Sequence, residues 1–186
     1  MKKNDISLVI IDAVSKNIEE NGDVALANIK SLVNARLTGK VYDFSNPPIE
    51  SPYRAMPKKQ DGKHYVLDEL TKDIIIAGGS LGNEHFSAFV SILQQARDAC
   101  VAPKIHIPFN CTYSFTNEYD SGEPWTDGCL GRSDMKVFGD YTKHLVKNAP
   151  GAYLIEKNGS VTEKSPIFTL KLWDDWKQMA NYLRKK

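Results

Sequence analysis

The sequence contains few cysteines, no long apolar run and no excess of charge of one sign. Its three cysteines, Cys100, Cys111 and Cys129, are an odd number and show no Cys-x-x-Cys spacing. This pattern argues against a disulfide framework and against a zinc ribbon. We therefore predict three free thiols in a cytoplasmic protein.

The charge balance and the hydropathy argue against two classes of partner. There are 24 basic and 23 acidic side chains, which give no field to attract nucleic acid or an anionic membrane. No stretch approaches the roughly twenty apolar residues that span a bilayer. The apolar run 8–11 meets Asp12 too early for the core of a signal peptide. With 186 residues, 41% of them hydrophobic, the chain is expected to form a single domain over residues 1–186, and its oligomeric state is left open.

The segment from Asp73 to Phe86 is the most informative part of the chain. Residues 74–77 form a short apolar run that is typical of a parallel strand covered on both faces. Apolar residues then recur at helical spacing, at Phe86, Phe89, Val90, Leu93 and Ala96. A strand that leads through a glycine-rich turn into a helix points the free N–H groups of that helix towards the carboxyl edge of the sheet. Because α/β proteins usually bind ligands at that edge, we predict a ligand site formed by Gly78, Gly79, Ser80, Gly82 and Asn83.

The turn does not match either common nucleotide-binding signature. A P-loop needs a lysine after its second glycine, and Gly82 is followed by Asn83. The Gly-x-Gly-x-x-Gly fingerprint is absent, and Asp98 falls within or at the end of the helix. No cofactor is therefore predicted. In the structural alternative, the glycines allow positive φ angles and close packing, while Ser80 or Asn83 caps the helix.

A second apolar run, residues 8–11, predicts a strand that ends at Asp12. If this strand lies parallel and next to residues 74–77 at the centre of a sheet, Asp12 reaches the same edge as the glycine turn. The predicted catalytic residues are Asp12, His85 and Glu84, with Asp12 and either His85 or Glu84 serving as acid and base. A carboxylate at Glu84 would repel an anionic ligand unless it is protonated or turned away. The alternative is that His85 lies on the surface and Asp12 only caps a turn.

Further helices and loops follow from the apolar spacing and the turn residues. We predict a helix over residues 23–37 with Gly39 as its cap, and a strand over residues 41–44. The proline-rich segment 45–62 is expected to contain no regular element; it is either a lid, with Tyr53 and Arg54 as ligand contacts, or a surface connection. Lys104–Pro108 is expected to be a strand, and residues 116–133 a second long loop. Trp125 in that loop either anchors it in the core or offers a flat face to a planar ligand.

The four histidines include no pair at the spacing that places two metal ligands on one helical turn. No metal site is predicted, although His85, His106 and an acid brought together over long range form an alternative.

The last third of the chain is expected to contain local, antiparallel structure. A helix is predicted over residues 135–147 and strands over 152–156 and 167–172. The pair Asn158-Gly159 favours a hairpin in which residues 161–162 pair back on 153–155. Asp174 is expected to cap a final helix. The fold class is therefore a three-layer αβα sandwich with a mostly parallel central sheet and a C-terminal antiparallel hairpin.

Two segments resemble the outline of the isochorismatase-like cysteine hydrolases, which are three-layer α/β proteins. These are the strand that ends at Asp12 and the strand, glycine turn and helix of residues 74–99. In that family an Asp, a Lys and a Cys at a helix N-terminus carry the chemistry. Asp12 matches the Asp, but the nucleophile position falls near Glu84 or His85, and no lysine matches. The resemblance therefore implies an architecture and no particular activity.

Two functional classes follow from this pattern. The first is a small-molecule-binding α/β domain, with hydrolase or transferase chemistry at the turn between Gly78 and Asn83. The second is a non-catalytic domain that binds another protein through its loops and exposed aromatic side chains. A deep polar pocket favours the first class and a broad apolar surface patch favours the second.

Overall fold

A computed structural model of the chain describes residues 5–11, 22–45, 49, 59–61, 64–79, 84–112, 153–156 and 168–185. These residues contain eight strands: β1 (Ile6–Ile11), β2 (Lys40–Asp43), β3 (Lys59–Asp61), β4 (His64–Val66), β5 (Asp73–Gly78), β6 (Lys104–Pro108), β7 (Tyr153–Glu156) and β8 (Phe168–Trp173). They also contain three α-helices: α1 (Gly22–Asn34), α2 (Glu84–Asp98) and α3 (Trp176–Arg184). A short 3-10 turn, Phe109–Cys111, follows β6.

Six strands form one sheet in the order β2-β1-β5-β6-β8-β7, and every neighbouring pair is parallel. Strands β1 and β5 are adjacent and lie inside the sheet, in register from Ile6 opposite Asp73 to Ile11 opposite Gly78. All residues of both strands are buried. The expectation that these two apolar runs are parallel and central is confirmed, since strands covered on both faces need continuous apolar sequence.

Hydrophobic clusters cover both faces of this sheet, because side chains alternate along each strand. On one face, Ile74 and Ile76 of β5 belong to a cluster with Ala88, Phe89 and Ile92 of α2. On the other face, residues of β5 cluster with residues of α1 and α3; these are Ile75 and Ala77 with Ile29, Leu32, Val33, Met179 and Leu183. Helices α1 and α2 therefore pack on opposite faces of the parallel sheet, and the chain belongs to the α/β class.

The prediction that residues 45–62 contain no regular element is wrong at the end of that segment. Lys59–Asp61 forms β3, which pairs antiparallel with β4 so that Asp61 lies opposite His64. In the sequence, two residues separate β3 from β4. The four prolines of the segment indicate irregular backbone, and a strand of three residues is too short to show an alternating pattern.

Two side chains of α2 hold β4 in place. The Ser91 hydroxyl accepts a hydrogen bond from the Tyr65 N–H (2.9 Å) and donates to the Tyr65 carbonyl (3.1 Å). The Gln95 amide donates to the same carbonyl (2.6 Å) and accepts from the Leu67 N–H (2.9 Å). Polar side chains of the helix thus satisfy backbone groups of β4, as a neighbouring strand would.

At the C-terminal end, both predicted strands are present as β7 and β8, and they pair with each other in parallel. The second arm of the predicted hairpin, residues 161–162, lies outside the described residues. The cap of α3 is Asp175 and not Asp174, because the Asp175 carboxylate accepts from the Lys177 N–H at 2.5 Å. Two consecutive aspartates give the same local signal, and the backbone selects the one with extended dihedral angles.

Both longer helices end with a non-glycine residue in the left-handed region. Helix α1 ends at Asn34, and Arg36 has a φ of 54°, so the expectation that Gly39 is its cap is wrong. Cys100 has the same φ after α2, and the Val101 N–H donates to the Ala96 carbonyl at 3.0 Å. This six-to-one bond is characteristic of a Schellman ending, in which glycine is the usual residue at the left-handed position.

Several predictions fall outside the described residues: the helix over 135–147, the loop over 116–133 with Trp125, the contacts of Tyr53 and Arg54, and the state of Cys129. Cys100 carries a free thiol on the surface, whereas Cys111 is buried. None of the helices that the structure describes has the length and apolarity needed to cross a membrane.

Candidate functional site

The carboxyl ends of β1 and β5 form a switch point in the sheet. The chain leaves β1 for α1, which packs on one face, and leaves β5 for α2, which packs on the other. When two adjacent parallel strands send their connections to opposite faces, a crevice opens between their carboxyl ends, and ligands of open α/β sheets bind in such crevices. The predicted glycine turn begins at this crevice, directly after β5.

Gly78 and Gly79 shape the β5 side of the crevice. Their φ angles are 80° and 70°, a region that glycine enters without steric cost. A Cβ atom on Gly78 would lie 2.2 Å from the Ile11 carbonyl oxygen, well inside van der Waals contact. A side chain at position 78 would therefore push against the last residue of β1. Both the backbone conformation and the close approach require glycine here, as the structural alternative for the turn anticipated.

The predicted catalytic and binding residues are only partly covered by the described residues. Asp12 follows Ile11 in the sequence, but it lies outside them, as do Ser80, Gly82 and Asn83. Glu84 and His85 form the first turn of α2 through their backbone. Their assignment as ligand and acid–base residues therefore stays a prediction.

The start of α2 contributes to the electrostatics of the crevice. The first four N–H groups of an α-helix have no partner within the helix, and the helix dipole leaves partial positive charge at this end. In α2, residues 84–87 carry these N–H groups, five to eight positions after Gly79. This end of the helix can therefore stabilise a ligand oxygen that carries negative charge.

Asp43 lies at the carboxyl end of β2, next to β1, and sequence reasoning did not select it. Its side chain is buried, and its two carboxylate oxygens accept from the Ser45 N–H (2.9 Å) and the Ile49 N–H (2.7 Å). Asp43 therefore fixes the path of the chain as it leaves β2. A strand-ending aspartate followed two residues later by serine is the sequence signal that could have identified this turn.

Asn110 occupies the corresponding position after β6, on the other side of β5. Its side-chain oxygen accepts from the Trp176 N–H (2.9 Å), and its carbonyl oxygen accepts from the Asn28 side chain (2.7 Å). The Cys111 thiol lies 3.8 Å from the same side-chain oxygen. The first two bonds join α1 and α3 to the 3-10 turn after β6 at the carboxyl edge, so the rim beside the crevice is polar. The sequence carries no local sign of this role, because Asn28 and Trp176 are distant along the chain.

The His106 side chain lies on the face of the sheet opposite α2, the helix that contains His85. It is fully buried in β6, between Ile105 and Ile107, which face α2; alternation therefore turns its side chain to the opposite face. Its Nε2 atom lies 2.8 Å from a carboxylate oxygen of Asp73, and its Nδ1 atom lies 3.1 Å from the Trp173 indole nitrogen. Among the described residues, no group of three or more His, Cys, Asp or Glu side chains could hold a metal ion.

The amino edge of the sheet carries a separate polar cluster. The Tyr42 hydroxyl donates to the Asp68 carboxylate, and the Lys40 ammonium pairs with Glu69 and Asp68. Burial, and then the hydrogen bond to Asp68, raise the pKa of Tyr42 above its usual value. The hydrogen bond to Glu69 raises the pKa of Lys40. Because β2 runs from Lys40 towards Asp43, this cluster ties down the strand at the end remote from the crevice.

Comparison of the chain with models of protein families, with curated proteins and with solved structures finds no match. The outline shared with the isochorismatase-like hydrolases therefore gains no support from relatives.

Proposed function

We propose that this protein is a small-molecule-binding α/β domain whose ligand lies in the crevice between the carboxyl ends of β1 and β5. The observation that carries this proposal is the switch point itself: β1 and β5 are adjacent and parallel, while α1 and α2 pack on opposite faces. In this arrangement the residues after both strands meet at one edge of the sheet. The proposed ligand-binding residues are Gly78, Gly79, Ser80, Gly82 and Asn83.

The ligand that suits this site carries a carbonyl or a singly charged oxygen. The positive φ angles of Gly78 and Gly79 keep the end of β5 close to β1, so a ligand can approach the backbone without meeting a side chain there. The N–H groups at the start of α2 would bind the ligand oxygen. A carboxylate at Glu84 in the first helical turn disfavours a ligand with several negative charges.

Catalysis at this site would use Asp12 with His85 or Glu84. Asp12 directly follows the last residue of β1 and so belongs to the same edge as the glycine turn. One of these groups would remove a proton from an attacking hydroxyl or water, and another would protonate the leaving group. The backbone N–H groups would stabilise the oxyanion that forms during acyl transfer. We therefore propose hydrolase or transferase chemistry for the domain.

The proposal includes finer points of architecture and location. The domain is a three-layer αβα sandwich with a C-terminal antiparallel hairpin, and it resides in the cytoplasm. The helices on both faces of the sheet support the layering. A non-catalytic protein-binding domain is less well supported, because the exposed large hydrophobic side chains among the described residues, Val24, Val66 and Val101, lie on three separate segments.

A thermal-unfolding screen tests this function. The wild-type protein is heated with a panel of nucleotides, sugar phosphates, carboxylates and amides. A ligand present at about 100 times its Kd adds about 2.7 kcal/mol to the free energy of unfolding. For a domain of this size that corresponds to a rise in Tm of roughly 5 to 10 °C. We expect carboxylates or amides to give the largest rise.

Three variants locate the site. Asp12→Asn and His85→Asn should each abolish the ligand-induced rise in Tm while leaving the Tm of the unliganded protein nearly unchanged. Asp98→Asn is the matched control, because Asp98 is exposed and lies at the opposite end of α2. It should keep the full rise. Undiminished stabilisation in both Asp12→Asn and His85→Asn would contradict the proposed site.

A further inference from the structure

A hydrogen-bonded chain of three side chains crosses the sheet beneath α3. Asp73, His106 and Trp173 come from the adjacent strands β5, β6 and β8. A carboxylate oxygen of Asp73 lies 2.8 Å from His106 Nε2, and the Trp173 indole nitrogen lies 3.1 Å from His106 Nδ1. Asp73 and His106 have no exposed surface. Asp73 is the first residue of β5 and Gly78 is the last, so the Asp73 end of this chain lies away from the crevice.

The geometry fixes the protonation state of the imidazole. An indole nitrogen can only donate, so His106 Nδ1 must accept with its lone pair. The proton of a neutral imidazole then resides on Nε2, where it is donated to Asp73. A second proton on Nδ1 would set two N–H groups against each other. Protonation of His106 and its hydrogen bond with Trp173 are therefore mutually exclusive.

Trp173 links this chain to α3. Its ring packs against the Tyr182 ring of α3, with centroids 5.2 Å apart, and Tyr182 also contacts the His106 ring at 6.2 Å. The Lys171 ammonium donates to the Tyr182 hydroxyl (3.1 Å) and lies 4.4 Å from the centre of its ring. A movement of the Trp173 indole therefore removes part of the surface on which α3 rests.

We propose that His106 is a pH-sensitive latch, which holds α3 on the sheet while the imidazole is neutral and releases Trp173 when a second proton binds to Nδ1. Among the described residues, the titratable or charged groups that face the imidazole are Asp73 from β5, Lys171 from β8, Tyr182 from α3 and, on β6 itself, Lys104. Asp73 favours the additional proton, whereas Lys171, Lys104 and the Trp173 N–H oppose it. Because a tyrosine carries no charge in the acidic range, the balance among the other groups sets the pH at which the latch opens.

Titration of the wild-type protein by NMR tests the latch without any substitution. At neutral pH, the nitrogen shifts of the His106 ring should identify Nε2 as protonated and Nδ1 as unprotonated. On acidification, Nδ1 should gain its proton in the same pH range in which the Trp173 indole resonance moves. Amide hydrogen exchange in α3 should then accelerate about tenfold, the factor expected for the loss of one such hydrogen bond.

Trp173→Phe removes the N–H group and keeps an aromatic ring. The midpoint of His106 protonation should rise by roughly half to one pH unit, since the group that opposes the second proton is gone. The rate of amide hydrogen exchange in α3 should no longer depend on the protonation of His106. Trp176→Phe is the matched control, because the Trp176 indole has no hydrogen-bond partner among the described residues. It should leave the midpoint unchanged.

Any of the following results would overturn the latch. The first is a proton on Nδ1 of wild-type His106 at neutral pH. The second is a midpoint that is unchanged or lower in Trp173→Phe. The third is an imidazole that stays neutral down to the pH of global unfolding, or α3 exchange that ignores its titration.

Discussion

Replacement of Gly78 by alanine is the sharpest test of how the crevice is built. The structure gives two independent reasons why this position requires glycine. The φ angle of 80° lies in the left-handed region, and an added Cβ would lie 2.2 Å from the Ile11 carbonyl oxygen. The oxygen belongs to backbone at the centre of the sheet, so it cannot turn aside as a flexible side chain would.

The size of the effect follows from three contributions. A residue with a Cβ in the left-handed region costs about 1 to 2 kcal/mol. Relief of the overlap by backbone shifts costs about 1 to 3 kcal/mol, as in overpacked cores. The loss of chain entropy in the unfolded state offsets about 0.4 to 1 kcal/mol of this. We therefore expect Gly78→Ala to lower the free energy of unfolding by about 1 to 4.6 kcal/mol.

Urea denaturation measures this loss. With a slope of about 2 kcal/mol per molar, the urea concentration at the midpoint should fall by roughly 0.5 to 2.3 M. Gly39→Ala is the matched control, since Gly39 is exposed and its φ is outside the left-handed region; it should change stability by less than about 0.5 kcal/mol. Equal stabilities for Gly78→Ala and Gly39→Ala would refute the close approach of β5 to β1.

Three further substitutions test other parts of the structure. Gln95→Ala removes a hydrogen bond to Tyr65 in β4 and one to Leu67 just after it, and should cost about 1 to 3 kcal/mol, with faster amide exchange in residues 64–67. Cys100→Gly relieves a positive φ and should raise the free energy of unfolding by about 0.5 to 1 kcal/mol in urea. The raised pKa of Tyr42 stabilises the fold fully below about pH 10, and this contribution is lost as the pH rises through the pKa of the folded state. Tyr42→Phe should therefore weaken the alkaline loss of stability, as followed by circular dichroism.

The first two of these predictions each have a control variant. Gln94 is exposed on the same helix, and Gln94→Ala should leave exchange in residues 64–67 unchanged. Cys100→Ser keeps the positive φ without the thiol and should not stabilise. An identical alkaline stability profile for wild type and Tyr42→Phe would show that the phenol carries no part of the pH dependence.

The central strands could be predicted from the sequence because their apolar runs are continuous and local. Residues 8–11 and 74–77 are enough to locate β1 and β5. The spacing of apolar residues likewise predicts α2 and α3. Strand β4 was not predicted from the sequence. The backbone of β4 and of Leu67 after it forms hydrogen bonds with the side chains of Ser91 and Gln95, which lie almost thirty residues further along the chain. No pattern within residues 59–66 reports those partners.

The candidate site also combines features that local sequence predicts with features that depend on distant residues. The glycine turn and its place at the carboxyl edge follow from the sequence, since glycine is the residue that left-handed backbone requires. The supporting role of Asn110 does not, because its partners Asn28 and Trp176 are distant along the chain. Asp43 differs, since it bonds to the nearby Ser45 and Ile49, and its spacing from Ser45 is a local signal. His106 gives no sequence signal beyond its alternation with Ile105 and Ile107. Its two hydrogen-bond partners come from strands that become neighbours only in the folded sheet.

The most direct test of the central claim is an amide NMR titration with the carboxylate or amide that stabilises the wild-type protein most. If the ligand binds at the switch point, the largest shifts should occur at Gly78, Gly79, Ile11 and the first turn of α2. The amide signals of Lys40 and Lys104, at the amino ends of β2 and β6, should not shift. If the Gly78 and Gly79 signals do not shift, and the largest shifts occur in residues 45–62 or 116–133, the ligand binds elsewhere. That result would contradict the proposed function.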